Sequence, residues 1–171
     1  MENLVLTVLG DDRPGLVDTL SGVISAHGGS WEHSQMARLG GKFAGIVQVT
    51  VPVARVDELL DAFHGLGMDG VLHVTADRSG ADPAPDGHHF ELSMVGTDQP
   101  GLVHAVSAAL AAVGASIEEL TTATVEAPMS GGPLFTAHAV VVLPASVDIA
   151  AVQAQLEDLA GHLMVDIDLT E

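Results

Sequence analysis

The sequence predicts an α+β protein made of two consecutive βαββαβ units, each a four-stranded antiparallel sheet with two helices on one face. Three observations predict it. The phrase GDDRPGLV at residues 10–17 returns as GTDQPGLV at 96–103, so that Gly15 answers to Gly101, about half of the 171-residue chain away. Each copy stands between a continuous apolar run and an amphipathic one, the pattern of a strand passing into a helix. Between the two series lies DRSGADPAPDGH, residues 77–88, where Pro, Gly and Asp dominate and apolar periodicity stops. The boundaries read this way are 1–76 for the first unit, 77–88 for a linker and 89–171 for the second unit.

In the first unit NLVLTVLG is a β-type run. After DDRPG, Leu16, Leu20 and Val23, with Val17 and Ile24 beside them, recur at helical spacing as far as the Gly28-Gly29 pair. SWEHSQMARL, a Gly40-Gly41 turn and KFAGIVQVTV follow as a hairpin, in which Phe43, Val47, Val49 and Val51 share parity. Pro52 ends it. Val56, Leu59, Leu60 and Phe63 make a second helical stripe, and GVLHVTA closes the unit as a strand. The second unit repeats the order: HFELSMVG; a helix through Leu102, Val106, Leu110 and Val113 ending at Gly114; the hairpin SIEELTTATV and LFTAHAVVVL; Pro144; a helix through Val152, Leu156 and Leu159; and LMVDIDL. The second hairpin loop, EAPMSGGP, is longer than the first, and extra loop residues cost little entropy. This order is the ferredoxin-like arrangement. Each unit leaves edge strands unpaired, so the two halves are expected to pack together, and the free edges leave a homodimer open.

Composition narrows the function. With 47% apolar and 16% charged residues the chain has material for a core. No apolar stretch nears the roughly 18 residues that span a bilayer, and MENLVLTVLG has an acid at position 2 and no basic start, a poor signal peptide. The expected compartment is the cytoplasm. The absence of cysteine excludes disulfides, thiolate-bound zinc and thiol nucleophiles. Five Lys plus Arg against 23 Asp plus Glu give a net charge of −18. Nucleic-acid affinity arises mostly from cations that displace counterions from phosphates, and five cations cannot build that stripe. Anionic membrane surfaces are disfavoured for the same reason.

The repeated phrase is where chemistry is available. Pro14 and Pro100 suit the first position of a helix. Asp12 and Asp98 are placed to cap the first turn. Gly15 and Gly101 leave the backbone bare where the first-turn N–H groups lack intrahelical partners, so a carboxylate could dock there while the nearby Asp receives an ammonium. That pair suits an α-amino acid. A Pro-initiated, Asp-capped helix that binds nothing would carry the same residues, and duplication would copy it unchanged.

The series strand, D-x-P-G-[LIV]-V, helix, Gly, strand, in βαββαβ order and duplicated, resembles the ACT domain. VLGDDRPGLVDTLSGVISAHGGSWEHSQMARLGGKFAGIVQV is similar to the first ACT unit of the glycine cleavage system transcriptional repressor family. The resemblance implies that small ligands, usually amino acids, sit where the strand–helix loop of one unit faces the start of the second strand of a neighbouring unit. It assigns Asp12, Arg13, Pro14, Gly15 and Leu16 with Ser30 and Trp31, and Asp98, Gln99, Pro100, Gly101 and Leu102 with Ser116 and Ile117. It also implies a ligand of glycine or serine size, and repression through a protein partner such as a transcription activator rather than through DNA. The family commonly has Asn-Ile where this chain has Ser30-Trp31 and Ser116-Ile117, and serine lacks the amide's paired donor and acceptor. Arg13 adds a cation that Gln99 lacks, which makes the first site the expected tighter one. An exposed Arg13 paired with Asp11 or Asp12 is the alternative.

No catalytic constellation is visible, and the chain is not expected to be an enzyme or to hold a cofactor. The nine histidines include no His-Glu-x-x-His and no cluster at ligand spacing. Asp166 and Asp168 share a strand face, but two carboxylates fall short of a calcium shell. There is no Gly-x-Ser-x-Gly elbow and no Walker lysine. Trp31, the only tryptophan, could face the ligand or be a half-buried sheet residue. A second function class is a feedback-regulatory subunit of an amino-acid metabolic enzyme.

Overall fold

The computed structural model describes residues 1–80, 86–127 and 132–171; the centre of the expected linker and of the second hairpin loop lie outside them. The chain divides into two compact units, Met1–Pro83 and Ala84–Glu171. In the first, β1 (Glu2–Asp11), α1 (Leu16–Ala26), β2 (Ser30–Leu39), β3 (Lys42–Val51), α2 (Val56–Met68) and β4 (His73–Arg78) follow in order. In the second, β5 (Gly87–Thr97), α3 (Leu102–Ala112), β6 (Ser116–Glu126), β7 (Pro133–Pro144), α4 (Ile149–Leu163) and β8 (Val165–Thr170) do the same. The sheets run β2-β3-β1-β4 and β6-β7-β5-β8, with every pairing antiparallel. This is the tandem ferredoxin-like α+β fold that the periodicity predicts.

Alternation of side chains decides which face is buried. Leu4, Leu6 and Val8 of β1 and Val47, Val49 and Val51 of β3 point to the helices and meet Leu20 and Ile24 of α1 and Leu59 and Phe63 of α2. Phe90, Leu92 and Met94 of β5 do the same against Val106, Leu110, Val152 and Leu156 in the second unit. Val17, grouped with the apolar stripe of α1 by spacing, is 48% exposed, because it falls just outside the arc that faces the sheet. The β2–β3 turn is tight because Gly40 and Gly41 both take positive φ, +58° and +77°, which matches the twist of the strands it joins. Both first helices end in the same paired backbone bonds: Gly28 to Ser25 O with Gly29 to Ile24 O, and Gly114 to Ala111 O with Ala115 to Leu110 O.

Two boundaries moved. The strand expected from Gly70 begins at His73, since Val71 and Leu72 bond back to Leu66 O at the end of α2. Asp12 and Asp98 do not cap their helices. The caps are Gly15 and Gly101, with φ of +89° and +94°, and neither helix has a side-chain cap bond. The Pro-Gly step makes a left-handed turn that puts the helix cap three residues, and the first helical residue four, beyond each Asp.

Candidate functional site

Asp12, Arg13, Pro14 and Gly15 form an exposed loop at the end of β1. The first hydrogen bond of α1 runs from Thr19 N–H to Gly15 O at 2.9 Å, and that of α3 from Ala105 N–H to Gly101 O at 2.9 Å. The amides of residues 16–18 and 102–104 thus lie ahead of the helical ladders, at the positive ends of the helix dipoles. A Cβ built on Gly15 or Gly101 would meet nothing within 4 Å, so the space above each turn is open. Leu16 and Leu102, assigned to the site with the loop, are 4% and 2% exposed and belong to the cores.

The two loops are held differently. In the first, Asp12 is ion-paired with Arg38 of β2 and Asp11 with Lys42 of β3. Lys42 hydrogen-bonds Asp11 and adds its charge, which together hold the Asp11 carboxyl below its ordinary value, with a smaller pull from Arg13. Arg55 and Arg78 are paired with Glu58 and Glu2. Arg13 alone among the five cations has no ion pair among the described residues. The carboxylate meant for a ligand's ammonium is therefore taken, while the cation meant for its carboxylate is not. In the second loop Gln99 donates to Leu163 O at the end of α4 at 2.6 Å, and the Asp98 side chain has no hydrogen-bond partner among the described residues. Arg38 and Lys42 were missed from the sequence alone. The signal was there in part: a two-residue turn between β2 and β3, with β3 antiparallel to β1, puts Lys42 opposite Asp11.

The strand-start residues lie elsewhere. Ser30 pairs with Thr50, which pairs with Asn3, whereas the loop leaves the sheet at Asp11, opposite Lys42. Eight residues of strand separate the two rows, roughly 26 Å at about 3.3 Å per residue. Ser116 and Gln99 are likewise at opposite ends of the second sheet. One unit by itself does not bring its loop and its second-strand start together. Ser30 and Ser116 are exposed. Trp31 and Ile117 are half-buried against their cores, and the Trp31 indole N–H donates to Ser34 Oγ at 3.2 Å.

The family model that describes the ACT domain matches the chain twice, over residues 2–74 and 88–170. The chain belongs to the ACT-domain family. Among curated relatives, the glycine cleavage system transcriptional repressors of Escherichia coli K12 and Shigella flexneri are each 27% identical to this ACT protein over 161 residues, 94% of this chain and 85% of theirs. A crystal structure of an unknown protein from Galdieria sulphuraria superposes with a TM-score of 0.85 at 34% identity, covering 99% of this chain and 98% of the other. Another, of a candidate glycine cleavage system transcriptional repressor, gives 0.71 at 19% identity over 99% and 96%, and shares the fold. No helix among the described residues is long and apolar enough to cross a membrane. No group of three or more His, Asp or Glu among them is arranged to hold a metal ion.

Proposed function

We propose that this tandem ACT protein is a non-catalytic regulator that senses a small amino acid, glycine or serine in size, and acts through a protein partner without touching DNA. The likeness to the glycine cleavage repressors supports the regulatory class, and a charge of −18 disfavours a direct route to DNA. The observation that carries the ligand class is Arg13. It is exposed and without an ion pair among the described residues, and it stands beside an open turn whose helix amides precede the ladder. A carboxylate there gains a charge-assisted hydrogen bond and the helix dipole together. The second loop has Gln99, tied to Leu163 O, in the equivalent position. The two loops are therefore unequal sites, with the first the tighter. A ligand shifts the regulator only by its differential affinity for two states, so occupancy must change how the protein meets its partner.

Calorimetric titration tests this, beginning with glycine and serine. The expected outcome is a tighter and a weaker site, with Arg13→Ala weakening the tighter one about tenfold, a loss of about 1.4 kcal/mol. Two equal sites, or an unchanged isotherm in Arg13→Ala, would sink the assignment of the first loop. Silence toward all twenty amino acids would sink sensing altogether.

A further inference from the structure

The duplicated fold allows the outer faces of the two sheets, those turned away from the helices, to be compared row by row. In the second sheet the rows across β6, β7, β5 and β8 read Glu119, Val140, Glu91, Thr170; then Thr121, His138, Ser93, Asp168; then Ala123, Thr136, Val95, Asp166. In the first they read His33, Gln48, Val5, Asp77; then Gln35, Ile46, Thr7, Thr75; then Ala37, Ala44, Leu9, His73. Within these three rows, one carboxylate in the first sheet becomes four in the second. Glu119, Glu91, Asp168 and Asp166 stand where the first unit has His33, Val5, Thr75 and His73. All four are exposed.

The difference is wider than one face. All five Lys and Arg residues lie in Met1–Pro83, with 11 carboxylates; Ala84–Glu171 has 12 carboxylates and no cation of either type. Solubility does not require that separation, since the first unit keeps the same fold with mixed charge. The second face is not purely charged either. Val95 is 41% exposed and Val140 half-buried in the middle of the carboxylates, with Val125 of the edge strand 45% exposed. An apolar centre fringed by one sign of charge is how a protein surface meets a partner of the opposite sign.

We propose that the outer face of the β5–β8 sheet is the docking surface for a basic protein, one that lays lysines or arginines among Glu91, Glu119, Asp166 and Asp168 and apolar groups on Val95 and Val140. A second copy of the chain is a poor occupant, because the same face would meet its own charge, and nucleic acid and anionic lipid are repelled. The proposal deepens the reading of partner-mediated regulation and rests on it.

The test titrates the full chain with an eight-residue lysine peptide and follows backbone amide shifts at 20 and 200 mM NaCl. The shifts are expected on Glu91, Val95, His138, Val140 and Asp168, with weaker binding at the higher salt. The variant Glu91→Gln, Glu119→Gln, Asp166→Asn, Asp168→Asn is expected to lose at least tenfold in affinity. A second variant with the same net charge, Asp86→Asn, Glu126→Gln, Glu157→Gln, Asp158→Asn, is expected to lose less than twofold. Equal losses in the two variants, or shifts spread over the helices, overturn the proposal in favour of diffuse attraction. A dimer seen by sedimentation and abolished only in the first variant overturns it in favour of self-association. Glycine and serine titrations of the same variants separate the two ideas. Peptide binding at this face with no amino-acid binding leaves docking standing and removes sensing, and the reverse result removes docking alone.

Discussion

At Gly15 and Gly101 the backbone is in the left-handed region, with φ of +89° and +94°, and each has open space where a Cβ would go. A substitution there is thus charged for its conformation and not for a clash. Gly15→Ala is expected to destabilise the first unit by about 1–2 kcal/mol, read as a lower midpoint in denaturant unfolding at unchanged slope. A loss far above that would mean that the turn is packed against something else. Asp11 gives a separate test. Its carboxyl is held down by the Lys42 hydrogen bond and charge. A lowered carboxyl stabilises the fold above the ordinary Asp range, and the contribution goes as pH falls through the lowered value. Carboxyl NMR should therefore find Asp11 still ionised below the ordinary midpoint of about 3.9, and Lys42→Met should bring the midpoint back up. Because both side chains are exposed, global stability should barely respond.

Between elements, the informative bond is the one from Gln99 to Leu163 O, which joins the β5–α3 loop to the end of α4. Gln99→Ala removes a donor from a half-buried carbonyl and is expected to cost about 1 kcal/mol. Amide exchange should rise in residues 98–101 and at the end of α4, while residues 12–15 stay unchanged; equal acceleration in the two loops would contradict their different anchoring. This bond also shows where reading the sequence stops. The strands and helices were legible because Gly40-Gly41, Pro52 and Pro144 punctuate runs of clear period 2 or 3.6, and β2 and β3 came out with the bounds the turn implied. Gln99 and Leu163 are 64 residues apart and share no pattern, so only the fold brings them together. The helix caps failed for a local reason: Asp before Pro-Gly is a common cap signal, but the left-handed glycine delays the helix until Asp12 is already opposite Arg38. The resemblance assigns Leu16 and Leu102 to the site as part of the repeated phrase, yet helix geometry turns their side chains into the core.

For the molecule as a whole, charge is the property that separates two otherwise matching units. Each has its own buried cluster, one centred on Leu6, Leu20 and Val49 and one on Leu92, Leu110 and Val141. The first unit offsets part of its acidity with the Asp11–Lys42, Asp12–Arg38, Glu58–Arg55 and Glu2–Arg78 pairs. The second has no Lys or Arg; in it His89 lies beside Glu118 and His162 beside Asp158, contacts that carry opposite charges only when the imidazole is protonated. Self-repulsion in a compact state of high net charge is weakened by salt, because the Debye length falls from about 30 Å at 0.01 M to about 10 Å at 0.1 M. Stability should therefore rise between 10 and 200 mM NaCl. The rise should be larger for β5–β8 amides than for β1–β4 amides, since the same salt also screens the attractive pairs of the first unit. Hydrogen exchange under both conditions resolves the two units within one chain. A uniform gain would mean that net charge alone matters, and a larger gain in the first unit would show that the cation-free half is not the repelled one.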